Sequence, residues 1–136
     1  MNRLTQILEA YRRGDTSLAE AERAITGSFF RDLGHSTLDN DRQRRNGIAE
    51  VIYGEHKTPG QIVDLVEAML TDGQNILVTR TTEAVHEALR DIAPDSRYHS
   101  DARAITCVRQ TPPSVATTIA VVSAGTSDLP VAAEAA

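Results

Sequence analysis

Glu50-Val51-Ile52-Tyr53-Gly54-Glu55-His56-Lys57-Thr58-Pro59-Gly60-Gln61-Ile62 decides the fold class of this chain. Val51-Ile52-Tyr53 reads as a short strand. Thr58-Pro59-Gly60-Gln61 reads as a helix start: Thr58 is an N-cap residue, Pro59 brings the φ of a first helical position, and Gln61 stands where it can bond back to the cap. Ile62, Leu65, Val66, Met69 and Leu70 then share one helix face, and Gly73 closes the helix. Ile76-Leu77-Val78 predicts the next strand. Thr81 or Thr82 caps a helix that carries Val85, Ala88, Leu89 and Ile92 and stops at Pro94. Ala104-Ile105-Thr106-Cys107-Val108 predicts a further strand. Strand, helix, strand, helix, strand in that order argues for a small α/β domain with a parallel sheet.

Upstream, Leu4, Ile7, Leu8 and Tyr11 form one helix face that ends at Gly14. Ser17 and Glu20 make a capping box for a second helix, with Leu18, Ala21 and Ile25 inward and Gly27 as its end. Residues 1–27 therefore read as a helical hairpin, and residues 28–110 as the small α/β domain. Within the latter, Ser28–Asp41 is irregular and admits short strands. Downstream, Thr111-Pro112-Pro113-Ser114 opens a linker over residues 111–117, because two prolines impose an extended segment. Residues 118–136 open another strand–loop–helix unit. Thr118-Ile119-Ala120-Val121-Val122-Ser123 is an apolar run with strong β-propensity and reads as a strand. The turn Ala124-Gly125-Thr126-Ser127-Asp128 follows, and Leu129–Ala136 starts a helix with Pro130 in its first turn. That helix is short of two turns at Ala136, and a lone strand cannot cover its own faces. The expectation is the front half of a longer protein, with a Rossmann-like domain truncated after its first unit.

Composition narrows the function classes. The chain has 136 residues, no Trp and few aromatics, so its core is aliphatic and Ala-rich. A net charge of −5 disfavours a general nucleic-acid binder. The single cysteine, Cys107, excludes an internal disulfide and fits a reducing cytoplasm. Charges throughout residues 1–20 exclude a signal peptide, and no apolar run has the roughly 18–20 residues needed to span a bilayer. The expected protein is soluble and cytoplasmic.

Several residues are candidates for chemistry. Lys57 precedes a helix N-terminus, where free N–H groups favour an anion; a solvated turn lysine is the alternative. Arg80 follows a strand directly, at the end where α/β sheets bind ligands; the alternative is an exposed arginine paired with Glu83. Arg42, Arg44 and Arg45 could grip a polyanion or form a solvated face. Glu50 reads as a general base or as an arginine's partner. His35, His56, His86 and His99 lack metal-ligand spacing, so no metal site is expected. Cys107 lies within a strand and reads as a buried, inert thiol. Ser127 and Asp128 occupy a Gly-containing loop before a helix, which suits either a ligand or ordinary helix capping.

Several of these pieces together resemble one family. Asp39-x-x-Arg42-x-x-Arg45-x-Gly47-x-x-Glu50-Val51-Ile52-Tyr53, Lys57-Thr58-x-x-Gln61-Ile62, Leu77-x-Thr79-Arg80, Ala102-Arg103 and Ala124-Gly125-Thr126-Ser127-Asp128-Leu129-Pro130-Val131-Ala132 look like its motifs. The family is the carboxylase/hydrolase of nickel-pincer nucleotide cofactor biosynthesis, related to phosphoribosylaminoimidazole carboxylase, and the likeness is to its N-terminal part. The departures are Ala49, where Pro is common, and Asn40-Asp41.

The resemblance implies an enzyme that carboxylates carbon 5 of nicotinic acid adenine dinucleotide with CO2 or bicarbonate. It also implies hydrolysis of the phosphoanhydride, to give pyridinium-3,5-biscarboxylate mononucleotide and AMP. It implies no covalently bound cofactor, admits Mg2+, and gives the complete protein a homo-oligomeric assembly, with this chain inactive alone. A family cysteine thought to attack the pyridinium lies beyond Ala136, and Cys107 does not match it. Carried over by residue, Ser127 and Asp128 are catalytic and Gly125 and Thr126 shape their loop. Lys57, Arg80, Glu50 and Arg45 bind the dinucleotide. The alternatives are a non-catalytic nucleotide- or partner-binding module, or an aminoimidazole ribonucleotide carboxylase relative.

Overall fold

A computed structural model describes residues 3–39, 42, 47–112, 114 and 116–136. The chain forms two compact units, Met1–Ile48 and Ala49–Ala136.

In the first unit, α1 (Arg3–Arg13) and α2 (Leu18–Phe29) pack together. The Ser17–Glu20 capping box forms as its sequence predicts. The Glu20 N–H donates to Ser17 Oγ at 3.3 Å and the Ser17 N–H donates to Glu20 Oε2 at 2.8 Å. Gly27 does not end α2, which continues to Phe29. An interior glycine only weakens a helix, whereas the chain leaves helical geometry at Phe30, whose φ of −131° and ψ of 130° are extended. There β1 (Phe30–Asp32) begins, pairing antiparallel with β2 (Thr37–Asp39).

The second unit has β3 (Ile52–Tyr53), α3 (Pro59–Thr71), β4 (Ile76–Thr79), α4 (Glu83–Ala88), β5 (Arg97–His99), β6 (Ala104–Cys107) and α5 (Leu129–Ala135). Both halves of the predicted α3 capping box form, with the Thr58 N–H donating to Gln61 Oε1 at 2.9 Å and the Gln61 N–H to Thr58 Oγ1 at 3.3 Å. Ile62, Leu65, Val66 and Met69 are buried along its inner face. They cover one side of the sheet with Ile52, Ile76, Val78, Ile105 and Cys107.

The α/β class holds, but the sheet is mixed rather than parallel. Its order is β3-β4-β6-β5, with β3 and β4 parallel and the β4–β6 and β5–β6 pairs antiparallel. Two departures from the expected pattern produce this. The second helix spans only Glu83–Ala88 rather than running to Ile92. Then β5, which carries no apolar alternation in Arg97-Tyr98-His99, turns back as a hairpin with β6. A strand entered from a hairpin runs opposite to the direction a helical crossover would impose. Asn75 fastens the far end: its Oδ1 accepts from the Arg109 and Gln110 N–H groups at 2.7 and 2.8 Å, and its Nδ2 donates to Gln110 O at 2.7 Å.

Thr118–Ser123, expected as a strand, pairs with nothing among the described residues. Ile119 and Val122 are 85% and 89% exposed. Strand propensity needs a ladder partner to become a strand. The expected helix after it does form, as α5. Among the described residues no helix is long and apolar enough to cross a membrane.

Gly54 sets the spacing of the parallel pair. A Cβ there would lie 2.8 Å from Thr79 O and 3.2 Å from Arg80 O, both backbone. Gly54→Ala is therefore expected to destabilise the protein by about 1–3 kcal/mol, the usual cost of overpacking. Gly60→Ala, where a Cβ meets nothing within 4 Å, should be neutral or mildly stabilising. Chemical denaturation of both variants checks the contrast, and equal effects would contradict the packing argument.

Candidate functional site

Because β3 and β4 run parallel, their carboxyl ends lie side by side. Because β6 is antiparallel to β4, its amino end lies there too. Three connections meet at this edge. The Gly54 N–H donates to Thr79 O at 2.8 Å, the Lys57 N–H donates to Gly54 O at 3.1 Å, and the Thr81 N–H donates to Arg103 O at 2.9 Å. Lys57 and Arg80, separated in sequence, are thus delivered to one end of the sheet, and Lys57 is half-buried there.

The backbone at this edge is unusual. His56, Arg80 and Arg103 hold φ of 67°, 52° and 48°, the positive-φ non-glycine residues among those described. Such left-handed backbone costs an L-residue roughly 1–2 kcal/mol and persists only where the surroundings enforce it. Nothing in the residue types signals this strain, so sequence reasoning missed His56 and Arg103 as members of the edge. The Ala102-Arg103 motif was the available clue.

Arg80 is paired, but with Glu134 and not with Glu83, the partner of the alternative reading. Its Nε donates to Glu134 Oε2 at 2.5 Å, with the two side chains 30% and 20% exposed. The bond to Glu134, and then that group's charge, raise the guanidinium pKa further. The Tyr53 hydroxyl donates to Glu55. That bond lowers the Glu55 pKa, and the positive charges of His56, Arg80 and Arg103 act in the same direction. The same bond raises the Tyr53 pKa.

Thr81 is 3% exposed and its Oγ1 has no partner among the described residues. Thr82 is the N-cap of α4, one of the two positions expected, but its side chain makes no cap bond. Glu50 is half-buried just ahead of β3. Arg44 and Arg45 lie outside the described residues, and Arg42 is exposed.

The second cluster is the loop before α5. The Asp128 N–H donates to Gly125 O at 3.0 Å, and its carbonyl accepts from the Ala132 N–H at 2.9 Å. Its carboxylate makes no cap bond. A Cβ on Gly125 would lie 3.3 Å from Asp128 Oδ2 and 3.5 Å from Ser127 Oγ. The carboxylate and the hydroxyl thus lie close over the same backbone. Gly125 is half-buried, while Thr126, Ser127 and Asp128 are exposed. Asp128 also lines an open cleft of about 410 Å³ with Val121, Val122 and Ala132. A hydroxyl, a carboxylate and loop N–H groups at one place can hold or orient a polar ligand and exchange a proton with it.

The histidines carry ordinary contacts. His86 stacks on Tyr98 at 6.1 Å, and His99 Nε2 lies 2.8 Å from Thr106 Oγ1. Among the described residues no group of three or more His, Cys, Asp or Glu is arranged to hold a metal. Cys107 is buried, its Sγ 3.6 Å from an Asp95 carboxylate that Arg109 also holds at 2.6 Å. Burial pushes its thiol pKa up.

Residues 30–110, more than half of the chain, match the family described as LarB/PurE-like N-terminal domain. The chain is also 27% identical over 140 aligned residues to an uncharacterized protein of Methanocaldococcus jannaschii. That alignment covers 97% of this chain and 54% of the relative, so the chain spans about half the length of the curated relative it matches.

A raised thiol pKa and burial both suppress thiolate attack. Cys107 should resist iodoacetamide at pH 8 in the native protein and react at the rate of a free thiol once unfolded, as mass spectrometry of the alkylated protein would record. Native labelling as fast as denatured labelling would contradict an inert Cys107.

Proposed function

This chain belongs to the LarB/PurE-like N-terminal domain family, a carboxylase-related family of nickel-pincer cofactor biosynthesis, and on that premise we propose that it serves a carboxylase/hydrolase acting on nicotinic acid adenine dinucleotide. In this reading the complete enzyme adds CO2 or bicarbonate at carbon 5 of the pyridinium ring. It also cleaves the phosphoanhydride, leaving pyridinium-3,5-biscarboxylate mononucleotide and AMP. It works in the cytoplasm as a homo-oligomer.

The observation that carries this segment's part is the parallel β3–β4 pair, which brings Lys57 and Arg80 to one sheet end. Ligands of α/β sheets bind beyond the carboxyl ends of the strands. A diphosphate or a ring carboxylate is the anion that an arginine fork and a lysine suit. Lys57 and Arg80 orient the dinucleotide, and Glu50 and Arg45 of the upstream motif add further contacts to it. Ser127 and Asp128 contact the substrate from the second loop, shaped by Gly125 and Thr126, and Asp128 is the proton-exchanging group of the pair.

Carboxylating an electron-poor pyridinium needs a temporary nucleophile to break its aromaticity. Cys107 is unsuited to that step, being buried with its thiol held protonated. Mg2+ would neutralise a diphosphate, and the reading assigns it no residue.

Two measurements test the proposal. Supplied with the dinucleotide and bicarbonate, the complete protein should release AMP, detectable by chromatography, and its absence would end the carboxylase/hydrolase reading. Lys57→Ala should weaken dinucleotide binding by about 1–2 kcal/mol, roughly tenfold, the scale of one charge-assisted hydrogen bond. An unchanged Kd would return Lys57 to a solvated turn residue.

A further inference from the structure

The strained edge holds more than Lys57 and Arg80. His56, Arg80 and Arg103 come from three different connections, and the backbone bonds through Gly54, Thr79 and Thr81 draw those connections together. Each is a side chain that bears or can bear positive charge, and each sits on backbone that glycine would occupy at lower cost. Arginine at Arg80 and Arg103 places charge there at a backbone cost.

The Tyr53 hydroxyl donates to Glu55 and is the main cause of that carboxylate's lowered pKa, and the charges of His56, Arg80 and Arg103 act on it in the same direction. Arg80 already holds one oxyanion, the Glu134 carboxylate at 2.5 Å, contributed by α5 from 54 residues away. Among the described residues Arg103 has no ion pair of its own.

We propose that the carboxyl end of β3 and β4 is an oxyanion site formed by Arg80 and Arg103 with His56 at its edge, and that Glu134 of α5 is its built-in competitor. The ligand is a phosphate or carboxylate group, and binding requires Arg80 to exchange the Glu134 carboxylate for an oxygen of the ligand. The site deepens the preceding reading, resting on it only for the role of Arg80, and it does not depend on Lys57.

The test titrates this chain with inorganic pyrophosphate at low ionic strength, following amide shifts by NMR, with nicotinate as a second probe. Arg103→Gly is the informative variant, because it removes the charge while relaxing a φ of 48°. Pyrophosphate affinity should fall by roughly fivefold or more while Tm stays level or rises, a split that a purely structural arginine would not produce. Glu134→Gln should tighten binding by a similar factor, and Arg12→Gln, an exposed arginine paired with Glu9, should change nothing. Stronger binding of nicotinate than of pyrophosphate, equally sensitive to Arg103→Gly, would support the site and assign it a carboxylate.

The proposal is overturned if neither probe binds, if Arg103→Gly lowers Tm without changing affinity, or if Glu134→Gln leaves affinity unchanged. A loss of dinucleotide binding in Lys57→Ala with no effect of Arg103→Gly would remove this site and leave the carboxylase reading standing.

Discussion

The close approach of Gly54 to the end of β4 is the constraint on which the second unit depends. β3 has only two residues in its ladder, too few to hold a parallel pair by themselves. The Gly54 N–H extends that pairing by one bond to Thr79 O, and the absent side chain lets the two backbones meet. From this contact follow the placement of the turn that carries His56 and Lys57 and its position beside Arg80. The Thr81–Arg103 bond brings the β5–β6 hairpin to the same edge. Packing of α3 on the opposite face supplies the apolar burial, but the contact at Gly54 decides which side chains become neighbours.

The two faces of the sheet differ in chemistry. One is sealed by α3 with Ile52, Ile76, Val78 and Ile105. The other carries Leu77, Ala104, Thr106 and His99 and is met by the small residues at the end of α5, leaving a cavity of about 440 Å³. Alanines there offer little contact area, and among the described residues the Arg80–Glu134 pair is the ion pair that ties α5 to the end of β4. Partly exposed ion pairs are weak and salt-sensitive.

Much of this arrangement was legible in residue patterns. The helix starts were readable because a capping box is a local device: Ser17 with Glu20, and Thr58 with Gln61, need only their own turn to form. The α3 core face follows from a period that folding does not alter. Gly27 misled because glycine permits a helix end without requiring one. Arg97-Tyr98-His99 was invisible as a strand because its stability comes from pairing with β6, not from its own composition. Thr118–Ser123 erred the other way, with strand propensity and no partner. For the sites, Arg80 was legible at the sheet end, but its carboxylate was not: Glu83, the partner offered as the alternative, is near in sequence, and Glu134 is near only in space.

The amino-acid sequence by itself determined the α/β class, the aliphatic core, the capped helices and the family motifs, because each of these is set by residues within a few positions of one another. The tertiary structure alone decided the mixed strand directions, the left-handed backbone at His56, Arg80 and Arg103, and the pairing of Arg80 with Glu134. Those features depend on segments tens of residues apart reaching the same place, and on one glycine that lets two backbones come close enough to fix which residues share an edge.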